Sequence, residues 1–600
     1  MKLKNIILLS VATAVLTACD DLFEPALENN QDISQMYTDA TFARGILDNA
    51  RINGILPYVE NPNNSLDVAT DDAVSNDIDK NYKKMTDGIY WTAQQNPINQ
   101  WETRYHAIQY LNIFLENVDQ VVWDTSSESL NEMHKDNHKG NAYALHALHL
   151  FYLLRAHCGL VNGELVGVPI HLASEDGSSD FNHSRNTFKE CIDQILADFD
   201  EALKYLPDQY GNVSSDNAIP TKYKEMGGTA SEYSRAFGDL QFGKMDGRMI
   251  AAMKAQVALF AASPAYASAG AATYEQAAQY AAAGLRYIGG LAGMDPKGWK
   301  WYVDFAESFG FSDPDPLEIC WRGDVEVADG GTTYESDNYP PSLEGNGRVN
   351  PTQNLVDAFP MANGYPISAS ASGYDANNPY ENRDPRLKEY ILVNGEAQGA
   401  GNTPINTQAD NTSTLDGLNR ENGKSTVTGY YLRKLLRSDV GLNPVAGKKH
   451  FGARIRYTEI FLDYAEAANE AQGPKANVGG ANYSAYDVIK AIRKRAGVGG
   501  ANDPYLEECA QSKEKMRELI RNERRLELCF ESHRFWDLRR WNANLNETAK
   551  GVRITTVNGV QKYEYFDVEA RKYADYMYYG PIPYTEVVKW SNLLQNDGWR

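Results

Sequence analysis

The chain has 600 residues, 80 acidic against 58 basic, and a formal charge of −22 at pH 7. That balance argues against nucleic acid and against anionic lipid held on a basic patch, though not against one locally basic pocket. Aromatic residues make up 11% of the chain, led by 37 Tyr, a composition that suits ligands with one apolar face and many hydroxyls.

Lys2 and Lys4 precede an apolar run from Ile6 to Leu16, followed by Thr17, Ala18 and Cys19. A basic start, a short apolar stretch and small residues before a cleavage point make 1–18 a signal peptide. The run is too short for a convincing membrane span, and no other stretch is long and apolar enough. Cys19 directly after Leu-Thr-Ala resembles the bacterial lipobox, in which the thiol is lipidated and the preceding segment removed; several acyl chains then hold firmly where one would not. Asp20, Asp21 and Glu24 resemble an acidic surface-export tag, and 19–33 is a polar tether. The other cysteines (Cys158, Cys191, Cys320, Cys509 and Cys529) are five and scattered, with no C-x-x-C. An odd number argues against a complete disulfide framework, and burial as small hydrophobes is expected.

Helical spacing is expected over 35–53, 100–122, 141–158 and 187–206, the last with Thr187 as N-cap and Pro207 as stop. Met249–Ser263 and Tyr274–Ile288 form an Ala-rich pair around Pro264, and Arg456–Ala471 and Tyr483–Ala496 form another through Gly473-Pro474. Small residues (Ala258, Ala261, Ala278, Ala282, Ala465 and Ala468) recur where such helices pack closely. Pairs of this kind read as tetratricopeptide-like, without a strict 34-residue register. Between them, 289–452 is dense in Gly, Asn, Ser, Pro and Asp, with short strand-like runs at Glu318–Arg322 and Tyr430–Leu435. Asn363-Gly364 and Asn558-Gly559 are hairpin signals. The expected fold is mainly α: tetratricopeptide-like helical pairs with an irregular loop and β-hairpin face that carries the site, residues 34–290 and 291–600 forming one compact body.

From Met516 to Arg534, an apolar helical arc (Met516, Leu519, Ile520, Phe530) includes Glu523, Glu527 and Arg534. Charges in an apolar stripe are costly to desolvate unless paired, so a buried ion-pair network is expected rather than an acid/base pair. The stretch Glu518–Trp541, with Asn354–Ile367, Arg456–Ala471 and Tyr579–Trp599, resembles the signatures of the SusD/RagB family of outer-membrane nutrient-binding lipoproteins. The resemblance implies four helical pairs and no covalent chemistry. It also implies an oligosaccharide ligand and a TonB-dependent, SusC-like outer-membrane transporter that the protein closes like a lid. The family also includes peptide binders, and Tyr-rich loops fit either ligand. A surface glycoside hydrolase stays open, since the separation of two carboxylates is a matter of folding.

In a starch-binding member, a Trp and an Asn five apart in the N-terminal loop belong to the ligand site, and Trp91 and Asn96 keep that spacing. Trp299, Trp301, Tyr334 and Tyr339 are carried over by neighbourhood alone. Sugar C–H faces stack on aromatic planes while Asn or Asp reads the hydroxyls, which brings in Asp72. On that basis Trp91→Ala weakens binding and leaves thermal stability nearly unchanged. No cofactor is expected. The acidic loop Asp67, Asp71, Asp72, Asp77, Asp79 and the pair Asp313/Asp315 leave room for a structural calcium, although the D-x-[DN]-x-[DN]-G loop is absent. His134, His138, His146, His149 and His157 lack H-E-x-x-H spacing and read as solvated or core histidines. Gly417 to Ser425 misses the P-loop because five residues, not four, separate its glycines.

Overall fold

Apolar residues at every third or fourth position fold as helices that pair along the chain: α1 Ala40–Gly54 with α2 Trp101–Asn117, α3 Glu128–His157 with α4 Phe188–Ala202, α5 Gly247–Ala262 with α6 Tyr274–Arg286, and α7 Tyr457–Gln472 with α8 Ala485–Arg495. The computed structural model describes residues 33–54, 65–304, 316–326 and 331–600. The leader, Cys19, the tether and Asp313/Asp315 lie outside the described residues. Four pairs match the expected scaffold. Caps set their starts: Thr187, Thr273 and Ser484 close capping boxes with Glu190, Gln276 and Asp487. Helix α3 begins at Glu128, well before the expected Asn141, because the Ser127 hydroxyl caps it and Leu130 and Met133 are already buried.

Pairs stack on pairs, α2 on α3 and α6 on α7, so one apolar core runs from Leu111 and Leu148 through Leu285 to Ile460 and Ile489. The small residues sit where helices touch: Ala258, Ala261, Ala278, Ala282, Ala465 and Ala468 are all buried. The α7–α8 connection comes so near α6 that a Cβ on Gly479 (φ +66°) would lie 2.6 Å from Gln279 Cα. All five described cysteines are free and buried. No described helix is long and apolar enough to cross a membrane.

The region between α6 and α7 is held by little regular structure. Every described sheet has two strands. Strand β1 Ile319–Glu326 pairs with β2 His450–Arg456, and β3 Ala549–Val557 turns through Asn558 (φ 53°) and Gly559 (φ 77°) into β4 Val560–Glu569. The second expected hairpin, at Asn363-Gly364, is a tight turn, with Gly364 N donating to Met361 O (2.8 Å).

The helical arc expected through Arg534 breaks. Helix α9 Lys513–Glu527 ends, Phe530 (φ 62°) and Ser532 (φ 56°) reverse the chain, and α10 His533–Arg540 starts afresh. The break frees the carbonyls of Glu527 and Cys529 to accept from Lys434 Nζ (2.8 and 2.9 Å) and turns Glu531 inward. Around it lies the buried ion network that the pattern of charges called for. The Arg386 guanidinium, fully buried, donates to Glu523 (2.9 Å), Glu527 (3.1 Å) and Asp384. Arg493 donates to Glu523 (2.8 Å), Asp503 and the Gly364 carbonyl (2.9 Å). Arg456 joins Glu318 (2.8 Å) to Glu531 (2.7 Å). Burial alone would raise the Glu531 carboxyl, but the Arg456 and Lys434 charges outweigh it and hold it at about 2.

A pocket of about 90 Å³ where α3 and α5 meet α7, α9 and α10 is lined by Glu459, Asp463, Arg524 and His533, among others. Burial, then the Asp463 carboxylate, pushes Glu459 up to about 8, while burial, then Arg524, presses His533 down to about 3. Their 3.7 Å approach is therefore a contact between neutral groups at pH 7.

Two outcomes follow from these charges. Arg386→Met, which keeps bulk but strands Asp384 and takes one shared cation from Glu523 and Glu527, is expected to cost about 3–5 kcal/mol in urea unfolding at pH 7; a loss below about 1 kcal/mol would show that the remaining cations answer them. Glu459 has a folded-state pKa above its unfolded value, so the stability tied to its proton is complete below about pH 4.5 and drains away as pH rises toward 8. Glu459→Gln should match the parent at pH 4.5 and exceed it at pH 8, and parallel pH–stability curves would contradict this.

Candidate functional site

A concavity of about 750 Å³ lies between α2, the loop 167–187 and the C-terminal tail, a size suited to a small ligand. One stripe of α2 builds its floor and fixes its wall. Tyr105, Gln109, Asn112 and Glu116, spaced four, three and four, share a helix face, and each meets loop backbone. The Tyr105 hydroxyl donates to Pro169 O (2.8 Å), Gln109 Nε2 to Glu175 O (2.8 Å), and Asn112 Nδ2 to both His171 O and Ala173 O (3.0 Å each). Glu116 accepts from Ser174 N (2.6 Å). On the far side, the tail residue Asn592 donates to Asn182 O (2.8 Å) and Arg185 NH1 to Asn596 Oδ1 (2.7 Å).

Aromatic side chains line the cleft. Trp590 is half-buried and Phe181 is 41% exposed, with ring centroids 6.1 Å apart and planes 33° apart. Trp101 stands edge-on to Tyr105 at 4.9 Å. Polar groups rim these rings: Gln109, Glu102 and the exposed Lys589, paired with half-buried Glu586 (2.8 Å). Such a cleft can stack a C–H face and hydrogen-bond an edge. In its wall, His171, Glu175 and His183 bring one donor atom each within 4.8 Å of one another, the one such group among the described residues. Burial, the largest influence, holds the His171 imidazole below its ordinary value.

None of the sequence-nominated residues is among those that line this cleft. Trp91, expected as a stacking surface, is 1% exposed. It stands edge-on to Trp599 at 4.9 Å and Tyr573 at 6.3 Å, with the Arg539 guanidinium 5.4 Å from its ring centre. A ring covered in this way has no face for a sugar. The five-residue spacing to Asn96 has a structural purpose instead, since Trp91 Nε1 donates to Asn96 Oδ1 (2.9 Å). Asp72 is fully buried and accepts from Arg525 Nε (2.7 Å), so it reads no hydroxyl. Asp71 beside it takes Arg525 NH2 (2.9 Å) and Arg534 Nε (3.0 Å). Guanidinium groups thus occupy the inner part of the acidic loop where calcium was considered.

Trp301, Tyr334 and Tyr339 are likewise corrected from ligand contacts to core. They are 2%, 7% and 1% exposed, and the Tyr339 hydroxyl donates to Arg437 O. Trp299 alone of that group keeps part of its ring in solvent, with Lys300 Nζ 4.6 Å from its centre. The α3 histidines are structural, as expected. His157 donates from Nδ1 to Pro581 O (2.6 Å) and accepts from Gln100 N at Nε2 (3.0 Å). His146 bonds Asp198 through Nδ1 (2.7 Å), and that pairing outweighs burial to raise its pKa.

Comparison with known proteins bears on the same body. Residues 323–599 match the family model described as SusD family, and residues 26–222 match one described as starch-binding associating with outer membrane. SusD-like protein P2 of Formosa agariphila is 29% identical over 144 residues, 24% of this chain. That match spans about a quarter of the relative's length. A SusD-like protein from Bacteroides fragilis has a TM-score of 0.69 at 23% identity, over 95% of this chain and 99% of its own. A SusD-like carbohydrate-binding protein from the same species scores 0.64 at 20% identity (93% and 100%), and a laminarin-binding SusD-like protein 0.54 at 18% (94% and 100%). At such identities the likeness is one of fold. With two family models spread over 26–222 and 323–599, and a fold that follows SusD-like structures along nearly its whole length, the chain belongs to the SusD/RagB family.

Proposed function

We propose that the protein captures an oligosaccharide in the cleft between α2 and the C-terminal tail, as a non-catalytic receptor held on the outer membrane by lipid at Cys19. The observation that carries this is the pair Phe181 and Trp590, two tilted rings at the mouth of a polar-rimmed cavity. A pyranose offers C–H faces to such rings and hydroxyls to Gln109, Glu102 and Lys589. Relatives described as carbohydrate-binding and laminarin-binding support the ligand class. The Leu-Thr-Ala-Cys19 sequence supports the anchor, and the description of the matched N-terminal family supports the membrane. Release to a TonB-dependent, SusC-like transporter is the step that follows capture on this proposal, and nothing in it requires bond cleavage.

Calorimetry against a panel of oligosaccharides and peptides, with a reducing-sugar assay on the same mixtures, tests this directly. Glycan binding without sugar release is the expected outcome; sugar release makes the protein a hydrolase, and binding confined to peptides removes the carbohydrate assignment. Phe181→Ala and Trp590→Ala should each weaken glycan binding by about 1–2 kcal/mol, five- to thirtyfold in Kd, with little change in melting temperature for the exposed Phe181. Trp91→Ala should do the reverse: it empties a packed aromatic cluster at about 3–5 kcal/mol, while the fraction that remains folded binds glycan as the parent does.

A further inference from the structure

The loop 167–187 carries three side chains that glycan stacking leaves unused. His171 Nδ1 stands 3.4 Å from one Glu175 oxygen, His183 Nε2 hydrogen-bonds the other, and the three donor atoms fall within 4.8 Å of one another. A polar triad of this kind can serve only to order a loop, but this loop is ordered by other means. Its backbone is held by Tyr105, Gln109, Asn112 and Glu116 from α2, and by the tail at Asn182. His146 adds a bond to the His171 carbonyl (3.2 Å). The loop backbone is thus held independently of the three polar donor atoms, and the His171 ring is steadied edge-on against Tyr105 (5.0 Å) and His183 (4.6 Å), so the donors sit on a preformed frame.

We propose that His171, Glu175 and His183 form a site for one divalent transition-metal ion of the zinc class, its fourth coordination position open to the cleft. Two imidazoles and a carboxylate are a donor set that zinc favours, whereas calcium and magnesium take oxygen ligands. Tetrahedral zinc with bonds of about 2.0–2.1 Å spaces its ligands about 3.4 Å apart, which the His171–Glu175 pair already meets. His183, 41% exposed and the freest of the three, closes the remaining distance by rotating. Three protein ligands leave an open position, as in sites that receive an exogenous oxygen. All three residues line the cleft wall below Phe181 and Trp590. A metal there would take a ligand hydroxyl or carboxylate, an extension that rests on the glycan assignment, whereas the metal site itself does not.

The test is titration of metal-stripped mature protein, without glycan, using zinc chloride and then calcium chloride, with bound metal counted by atomic emission after gel filtration. One zinc and no calcium per chain are expected. His183→Ala and Glu175→Gln should each weaken zinc at least tenfold and remove any zinc-induced rise in melting temperature, while their circular dichroism stays that of the parent. Absence of stoichiometric zinc, or zinc retained unchanged by both variants, overturns the site. Glycan calorimetry with and without zinc is read separately: a parent that holds zinc but binds no glycan in either state defeats the receptor assignment and leaves the metal site standing.

Discussion

The fold depends on charges that have been taken out of water and answered one by one. Arg386, Arg456 and Arg493 are at most 2% exposed, and so are Glu318, Glu523 and Glu527. Desolvating an ion costs several kcal/mol, and only a complete set of partners offsets that. The partners come from Glu318 just before β1, the end of β2, α8, α9 and the region around residue 385. The described sheets of that region are two-stranded and its helices short, and such pieces are marginal by themselves. What ties the region to the helical stack is the set of carboxylates that Arg386, Arg456 and Arg493 share across the two regions. The break after α9 follows from this, because a continuous helix would keep the Glu527 carbonyl from Lys434 and Arg456.

From that network the order reaches the cleft through continuous contact. Ser532, just past the break, donates its N–H to Asp67 (3.0 Å), and Asp71 and Asp72 bind Arg525 and Arg534. The segment 65–75 then packs beside the Trp91 cluster, whose rings include Trp599 from the end of the chain. Trp599 brings the tail back to α3, where Asn596 Nδ2 donates to His157 O (3.1 Å) and Gly580 O (2.6 Å). Asn596 and Asn592 in turn grip the loop 167–187. Trp91 therefore lies in the packed cluster that anchors the end of the chain, and it is not among the residues that line the cleft.

Much of this was legible in the sequence, and what was not has physical causes. Helical pairs follow from apolar spacing and caps, and the network follows from acids placed in an apolar stripe, since both are local patterns with one cheap solution. The loop aromatics are another matter. Trp91, Trp301, Tyr334 and Tyr339 lie in polar, Gly-rich surroundings that resemble a binding face, but tertiary partners such as Trp599, remote in sequence, decide whether a ring is covered. The cleft was invisible for the same reason, being assembled from α2 and a tail that begins more than 400 residues later. His171, Glu175 and His183 form H-x3-E-x7-H in an irregular loop, a spacing no motif encodes. A signal was there to find: two histidines and an acid inside one short polar run.

Covered and free aromatics in this chain differ in what holds them in place. A ring buried among others stabilises the frame through its whole surface, and Trp91 does this. A ring left at a cleft edge gives up that stabilisation, so its backbone has to be held by something else. Around Phe181 and Trp590 the something else is polar: amide side chains from α2 and the tail bond the loop's carbonyls in place of apolar packing. Ordering a free side chain on binding costs about 0.5–1.5 kcal/mol each. A wall already set by these bonds leaves less of that cost to be met when a ligand arrives, and the stiffness of the charged core thus appears, two layers away, as readiness to bind.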